Sequence, residues 1–300
     1  MCSKKSISRL RFVFAVDEML KERATRQLAP PSLSDIITGM DRLTLPDEQT
    51  GQSSHQRRSW RPLGLGAAWL AVILALAMAA AVLTGIAFDR LNSIGGARAY
   101  AAGEMEALAT RRLAYVLFAF QMVAMAGVLV VARRYSLSGF VILPLVLPKR
   151  AVITFLLAIA GLFLISGVYG SAVYQFNRSA MSQDLGPFAG MMRTESWWLI
   201  LLAAGIGAPL AEEFLFRGLL YGTLRAAPSG KVVAALVSAA AWAGLHLNYA
   251  IYGVVAIFLI GLYFAWLRER TGSLLPPIVC HGVYNSLIIV ALASAPDAFL

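Results

Sequence analysis

Glu212 and Glu213 are the only two of the chain's 16 acidic residues that fall inside an otherwise apolar stretch. A charge at the centre of a membrane-spanning helix costs about 2.5 to 3.5 kcal/mol, and such residues mark functional sites. Glu213 and Arg217 are four residues apart, so they share a helix face and can neutralise each other. Glu212 is rotated from them by about 100° and has no such partner. An unpaired carboxylate of this kind suits proton transfer. His246 and His281, two of only three histidines, also lie in charge-free windows, and Asn285 is one turn after His281 on the same face.

Depth brings these groups together. At about 1.5 Å per helical residue, Glu212 lies about 20 Å before Arg225, His246 about 22 Å after Lys231, and His281 about 16 Å after Arg270. Taking those basic residues as one membrane boundary, three polar groups from three helices fall in a slab roughly 6 Å thick. Trp242, four residues before His246, can wall the resulting cavity. Small residues crowd the same helices, with Ala203, Ala204, Gly205, Gly207 and Ala208 before the glutamates and Ala234, Ala235, Ser238 to Ala241 and Gly244 before His246. They allow close helix approach.

A carboxylate, two imidazoles and an amide in a dry cavity can hydrolyse a bond. Glu212 can take the proton of a water, His246 can position that water or share the proton, and His281 and Asn285 can donate hydrogen bonds to the developing oxyanion. The alternative is a catalytic zinc, for which Glu212, His246 and His281 supply the three N/O ligands such an ion takes. The chain has no HExxH, so a metal site would be assembled across helices. If Glu212 were a ligand, another group would have to act as base, while Glu213 is tied to Arg217. That conflict favours the metal-free arrangement.

The elements that position these groups are membrane helices. The 300-residue chain is 59% apolar and 14% charged, with a mean hydropathy of +0.69. A soluble domain carries about 25% charge, so a soluble enzyme or nucleic-acid binder is excluded. The net charge of +10 reflects topology, because 11 of the 26 Lys and Arg lie in the first 61 residues. Cys2 and Cys280 form no disulfide framework. Residues 1–61 read as a basic cytoplasmic tail and linker, 62–190 as the N-terminal transmembrane helices and 195–294 as the catalytic core.

The spacing predicts an all-α polytopic bundle of seven helices, with an eighth if residues 89–112 dip into the bilayer. Windows 62–88, 113–132, 151–177 and 271–296 are each long enough for one span. Window 232–267 divides into two short helices hinged near Leu247–Asn248, and 196–224 forms one helix interrupted by Glu212, Glu213 and Arg217. Window 135–148, holding Pro144 and Pro148, reads as an interfacial connection. Segments on the N-terminal side of the membrane carry 20 Lys and Arg against 6 on the other, which places the N-terminus inside.

Three motifs carry a family resemblance. Glu212-Glu213-Phe214-Leu215-Phe216-Arg217 is similar to the EExxxR motif of the CPBP family, the CAAX prenyl endopeptidases and bacteriocin-processing (Abi) proteins. His281-Gly282-Val283-Tyr284-Asn285 resembles its HxxxN motif. Trp242-Ala243-Gly244-Leu245-His246 resembles FxxxH, with Trp in place of Phe. The resemblance covers roughly residues 195–294, and the preceding 190 residues carry no such motif.

It implies an intramembrane endopeptidase of a bacterial-type inner membrane, with Glu212, Glu213, Arg217, His246, His281 and Asn285 at the active site. Its partners would be the bilayer and a membrane protein or peptide substrate, with no nucleic acid. The family is often labelled metalloprotease, which keeps Zn2+ on Glu212, His246 and His281 as the alternative. Other members imply a non-catalytic scaffold or immunity role, and an intramembrane Glu with His also suits an ion-coupled transporter.

Overall fold

The computed structural model describes residues 61–93, 102–135, 144–177 and 179–295, all within the unit Arg57–Leu300. The basic tail, apart from Arg61, lies outside them. So do residues 94–101, and with them part of the 89–112 segment.

The described residues form eight helices and no strand: α1 (Arg61–Ser93), α2 (Ala102–Tyr135), α3 (Ala151–Phe176), α4 (Ala180–Met192), α5 (Trp197–Ala226), α6 (Gly230–Gly244), α7 (Ile251–Thr271) and α8 (Leu275–Ser294). Among them six, α1, α2, α3, α5, α7 and α8, are long and apolar enough to cross a membrane. Helix α6 has 15 residues, about 22 Å, short of the roughly 30 Å hydrocarbon core. Counting it, seven helices match the expected spans. The eighth is α4, a helix between α3 and α5 that the charge-free windows did not delimit. Residues 144–148 are irregular, as expected for the connection, and Pro144 accepts a hydrogen bond from the Leu274 amide (2.9 Å).

Local chemistry sets the helix ends. Gly272 closes α7 with φ 66°, its N–H bonded to the Arg268 carbonyl, the left-handed cap that favours glycine. Pro276 and Pro277 open α8, where the first turn has no intrahelical use for an N–H. The break expected near Leu247–Asn248 falls between α6 and α7. There the Ala250 amide, at the start of α7, donates to Asp184 Oδ1 on α4 (2.8 Å).

Helix α5 is central. Half of its apolar window is buried, against a third or less in the other five spans. Helix α2 and the middle and end of α8 flank its N-terminal half, and α1, α6 and α7 flank its second half. Helices α6 and α7 cross at Gly261, where an added Cβ would stand 2.9 Å from Ala239 Cβ and 3.1 Å from Arg217 Nη2. Both neighbours are buried, so neither yields cheaply. Gly261→Ala is expected to destabilise the protein by about 1 to 3 kcal/mol, read as a lower melting temperature in detergent.

Candidate active site

The site is built on irregularities of α5. Two stretches, Leu201–Gly207 and Glu213–Leu220, widen to π-helical turns, with the α-helical segment Ala208–Glu212 between them. In the first, the Ala208 amide bonds back five residues to the Ala203 carbonyl. Pro209 supplies the reason for the distortion, since it has no N–H to offer the carbonyls one turn earlier. The Ala204 and Gly205 carbonyls instead take side-chain donors from α8: Asn285 Nδ2 at 2.9 Å and Ser286 Oγ at 3.4 Å. The Ala203 carbonyl takes Gln121 Nε2 from α2 at 2.9 Å.

Beyond that turn the two glutamates point to different partners. Glu213 is fully buried and forms the expected ion pair with buried Arg217, Nη1 to Oε1 at 2.9 Å. The same Oε1 also faces His281 Nδ1 at 3.2 Å. Glu212 keeps 17% of its side chain exposed. Its Oε2 accepts a 2.6 Å hydrogen bond from Trp242 Nε1 and stands 3.8 Å from His281 Nε2. His281 therefore lies between the two carboxylates, one ring nitrogen toward each.

Aromatic rings enclose the cluster. Trp242 packs edge-on against His281 and His246, at 5.2 and 5.8 Å between ring centroids. Phe264 of α7 lies 5.2 Å from His281. The Arg217 guanidinium sits over both the Trp242 ring (4.3 Å) and the Phe264 ring (5.3 Å). Arg217 Nε and Nη2 have no hydrogen-bond acceptor among the described residues, so these π faces carry much of its stabilisation. The indole thus does more than wall the cavity. It donates to Glu212, covers Arg217 and holds both imidazoles.

His246 is half-buried and follows α6, with Nδ1 3.1 Å from the Trp242 carbonyl. A carbonyl can only accept, so in that contact Nδ1 carries the proton, and in the neutral ring Nε2 is left as an acceptor. Tyr249, 5.5 Å from His246 between ring centroids, has its phenol pushed above the ordinary range by burial and then by the Asp184 and Glu212 carboxylates. It stays a neutral donor beside the site.

Glu212, Glu213, Arg217, Trp242 and His281 are joined by direct contacts, and His246 is joined through Trp242. Asn285 lies one turn from His281, with an Nδ2 hydrogen committed to the Ala204 carbonyl and a second available. Among the described residues no group of three or more His, Cys, Asp or Glu side chains is placed to hold a metal ion. The donor set explains this. Glu212 Oε2 is engaged by an indole N–H, and His281 Nδ1 is turned to Glu213. Glu212, His246 and His281 do not make a ready zinc site in this arrangement.

Phe264, Tyr249 and Gln121 were not singled out by charge or motif. Pro209, inside an apolar window just ahead of the glutamates, is the sequence signal that could have found the widened turn, which the reading of 196–224 as one helix interrupted by Glu212, Glu213 and Arg217 did not use.

Comparison with curated proteins and with solved structures gave no match. Comparison with a family model matches residues 194–287, which carry the six predicted site residues, to the family described as type II CAAX prenyl endopeptidase Rce1-like, the grouping the three motifs resemble.

Proposed function

We propose that the protein is an intramembrane endopeptidase that cuts peptide bonds of membrane-associated proteins or peptides by a Glu212-activated water. The family match supports a CAAX-protease-like intramembrane endopeptidase in general. The observation that carries the assignment is the His281 ring set between Glu212 and Glu213, with Trp242 holding the Glu212 carboxylate.

In this reading a water beside Glu212 loses a proton to the carboxylate as its oxygen attacks the scissile carbonyl carbon. Trp242 Nε1 keeps Oε2 in place, so the base does not rotate away from the water. His246 Nε2 accepts from the same water or shares its proton. The carbonyl oxygen becomes negative in the tetrahedral intermediate. His281 Nε2, on the Glu212 side, and the second Nδ2 hydrogen of Asn285 are the candidate donors to that oxygen. Glu212 then returns its proton to the amide nitrogen as the C–N bond breaks, releasing an amine and a carboxylic acid, which keeps the second proton of the water and ionises on leaving.

Glu213 and Arg217 are positioning residues. Glu213 orients His281 through Nδ1, as a buried carboxylate orients a catalytic imidazole in a triad. Arg217 balances its charge. The N-terminus is placed on the cytoplasmic side of the membrane, from the Lys and Arg count.

The test is turnover of a membrane-peptide library by the purified protein, assayed before and after treatment with EDTA and with 1,10-phenanthroline. Cleavage that survives both chelators with kcat unchanged is the expected result. Loss of turnover on chelation, restored by Zn2+, would return the metal alternative, and no turnover under any condition would remove the peptidase assignment.

A further inference from the structure

The segment carrying Glu212 is held from outside at both ends. At its N-terminal side the Ala203 carbonyl accepts twice, from the Ala208 amide five residues on and from Gln121 Nε2 of α2. At its C-terminal side the Phe216 carbonyl also accepts twice, from the Tyr221 amide five residues on and from Ser238 Oγ of α6 at 2.9 Å. Both donors are deeply buried: Gln121 is 3% exposed and Ser238 0%. Gln121 Oε1 has no hydrogen-bond partner among the described residues and lies where a Cβ on Gly207 would stand. The amide is thus wedged into the widened turn. Gln121 also lies outside the family-matching residues 194–287.

A π-helical turn holds one residue more than an α-helical turn, and its bonds are strained relative to the α register. If the first widened turn relaxed, every residue beyond it would rotate by about 100° and move along the axis by about 1.5 Å. Glu212 would then fall where Glu213 now stands, and Ala211 where Glu212 stands. The carboxylate would leave the Trp242 indole. A second donor on a carbonyl already bonded five residues ahead favours the widened geometry, because a widened turn tilts its carbonyls outward to where a neighbouring helix can reach them.

We propose that Gln121 and Ser238 are positioning residues that pin the two widened turns of α5 and so fix the rotational register of Glu212. The inference deepens the peptidase reading and rests on it for its kinetic readout only.

The experiment uses the full chain in lipid nanodiscs with 15N-labelled tryptophan, the Trp242 indole resonance being assigned by its loss in Trp242→Phe. Gln121→Leu and Ser238→Ala each remove one donor. Both are expected to move the Trp242 Nε1–H resonance toward its position in Glu212→Ala, which has no acceptor for the indole. Each should lower kcat about 10- to 100-fold with KM within about twofold, since a misplacement of 1 Å can cost about 100-fold. Ser238→Thr keeps the hydroxyl and should retain the wild-type resonance and kcat.

A folded Ser238→Ala or Gln121→Leu with the indole resonance in place and kcat unchanged overturns the proposal. Should Gln121→Leu fail to fold, Ser238→Ala decides alone. A wild-type protein that cleaves nothing, while both variants still shift the indole, removes the peptidase reading and leaves the register pins standing.

Discussion

Glu212→Gln is expected to lower kcat by about 10²- to 10⁴-fold, the usual contribution of a positioned general base, with KM changed by no more than about twofold. The amide keeps the size of the carboxylate, and its oxygen can still accept from Trp242 Nε1, the 2.6 Å bond that fixes the side chain. What it loses is the capacity to take a proton from water. Substrate binding involves surfaces that this change does not touch, so the loss falls on the chemical step. The fold should not suffer, because removing a partly buried negative charge from an apolar span relieves a desolvation cost. Steady-state kinetics on the membrane-peptide library, with a melting curve of the same preparation, is the measurement. Wild-type turnover in Glu212→Gln would end the assignment of Glu212 as the base, whatever the other residues do.

The second large effect is on stability. Arg217→Met is expected to destabilise the protein by about 3 to 5 kcal/mol, because it strands the Glu213 carboxylate in the interior with His281 as its remaining polar contact. Both partners of the pair are fully buried, so water cannot solvate the orphan. Methionine fills much of the space between Trp242 and Phe264, which separates the lost charge from lost packing. The double variant Glu213→Gln/Arg217→Met should recover most of that loss, a coupling visible only when both members change. Denaturant or thermal unfolding in detergent reads it. An Arg217→Met protein as stable as the wild type would mean that Glu213 is neutral in the fold, and the ion pair would lose its structural role.

The polar set of the site was readable from residue type because the membrane makes charge rare. Glu212, Glu213 and Arg217 stood out against windows with no other charge, and His246 and His281 against a chain with three histidines. The i,i+4 pairing of Glu213 and Arg217 followed from helix geometry alone. The split of window 232–267 into α6 and α7 was likewise legible, since a single helix over that charge-free window would run about 54 Å, well beyond the roughly 30 Å hydrocarbon core.

Helix α4 was less visible. With Asp184 and several small or polar residues in a short segment between basic ones, it carries neither a full span nor a strong apolar stripe. Asp184 gains its role only by meeting the Ala250 amide, 66 residues away in sequence.

Composition and spacing therefore determined the class of the molecule, a multi-helix bundle with one depth at which polar groups gather, because apolar length and rare charge are properties of each segment by itself. Which glutamate meets which partner was decided only by the tertiary structure. His281 came to stand between the two carboxylates, and Trp242 became a donor to Glu212. Those outcomes depend on the rotation of α5 about its axis. Pro209 starts that rotation, but carbonyls freed by a missing N–H settle in a widened turn only if neighbouring helices bring donors to them. Asn285 and Ser286 do so from α8, while Gln121 of α2 and Ser238 of α6 add second donors to the Ala203 and Phe216 carbonyls, and uncharged side chains on separate helices leave no trace in a hydropathy pattern until packing sets them face to face.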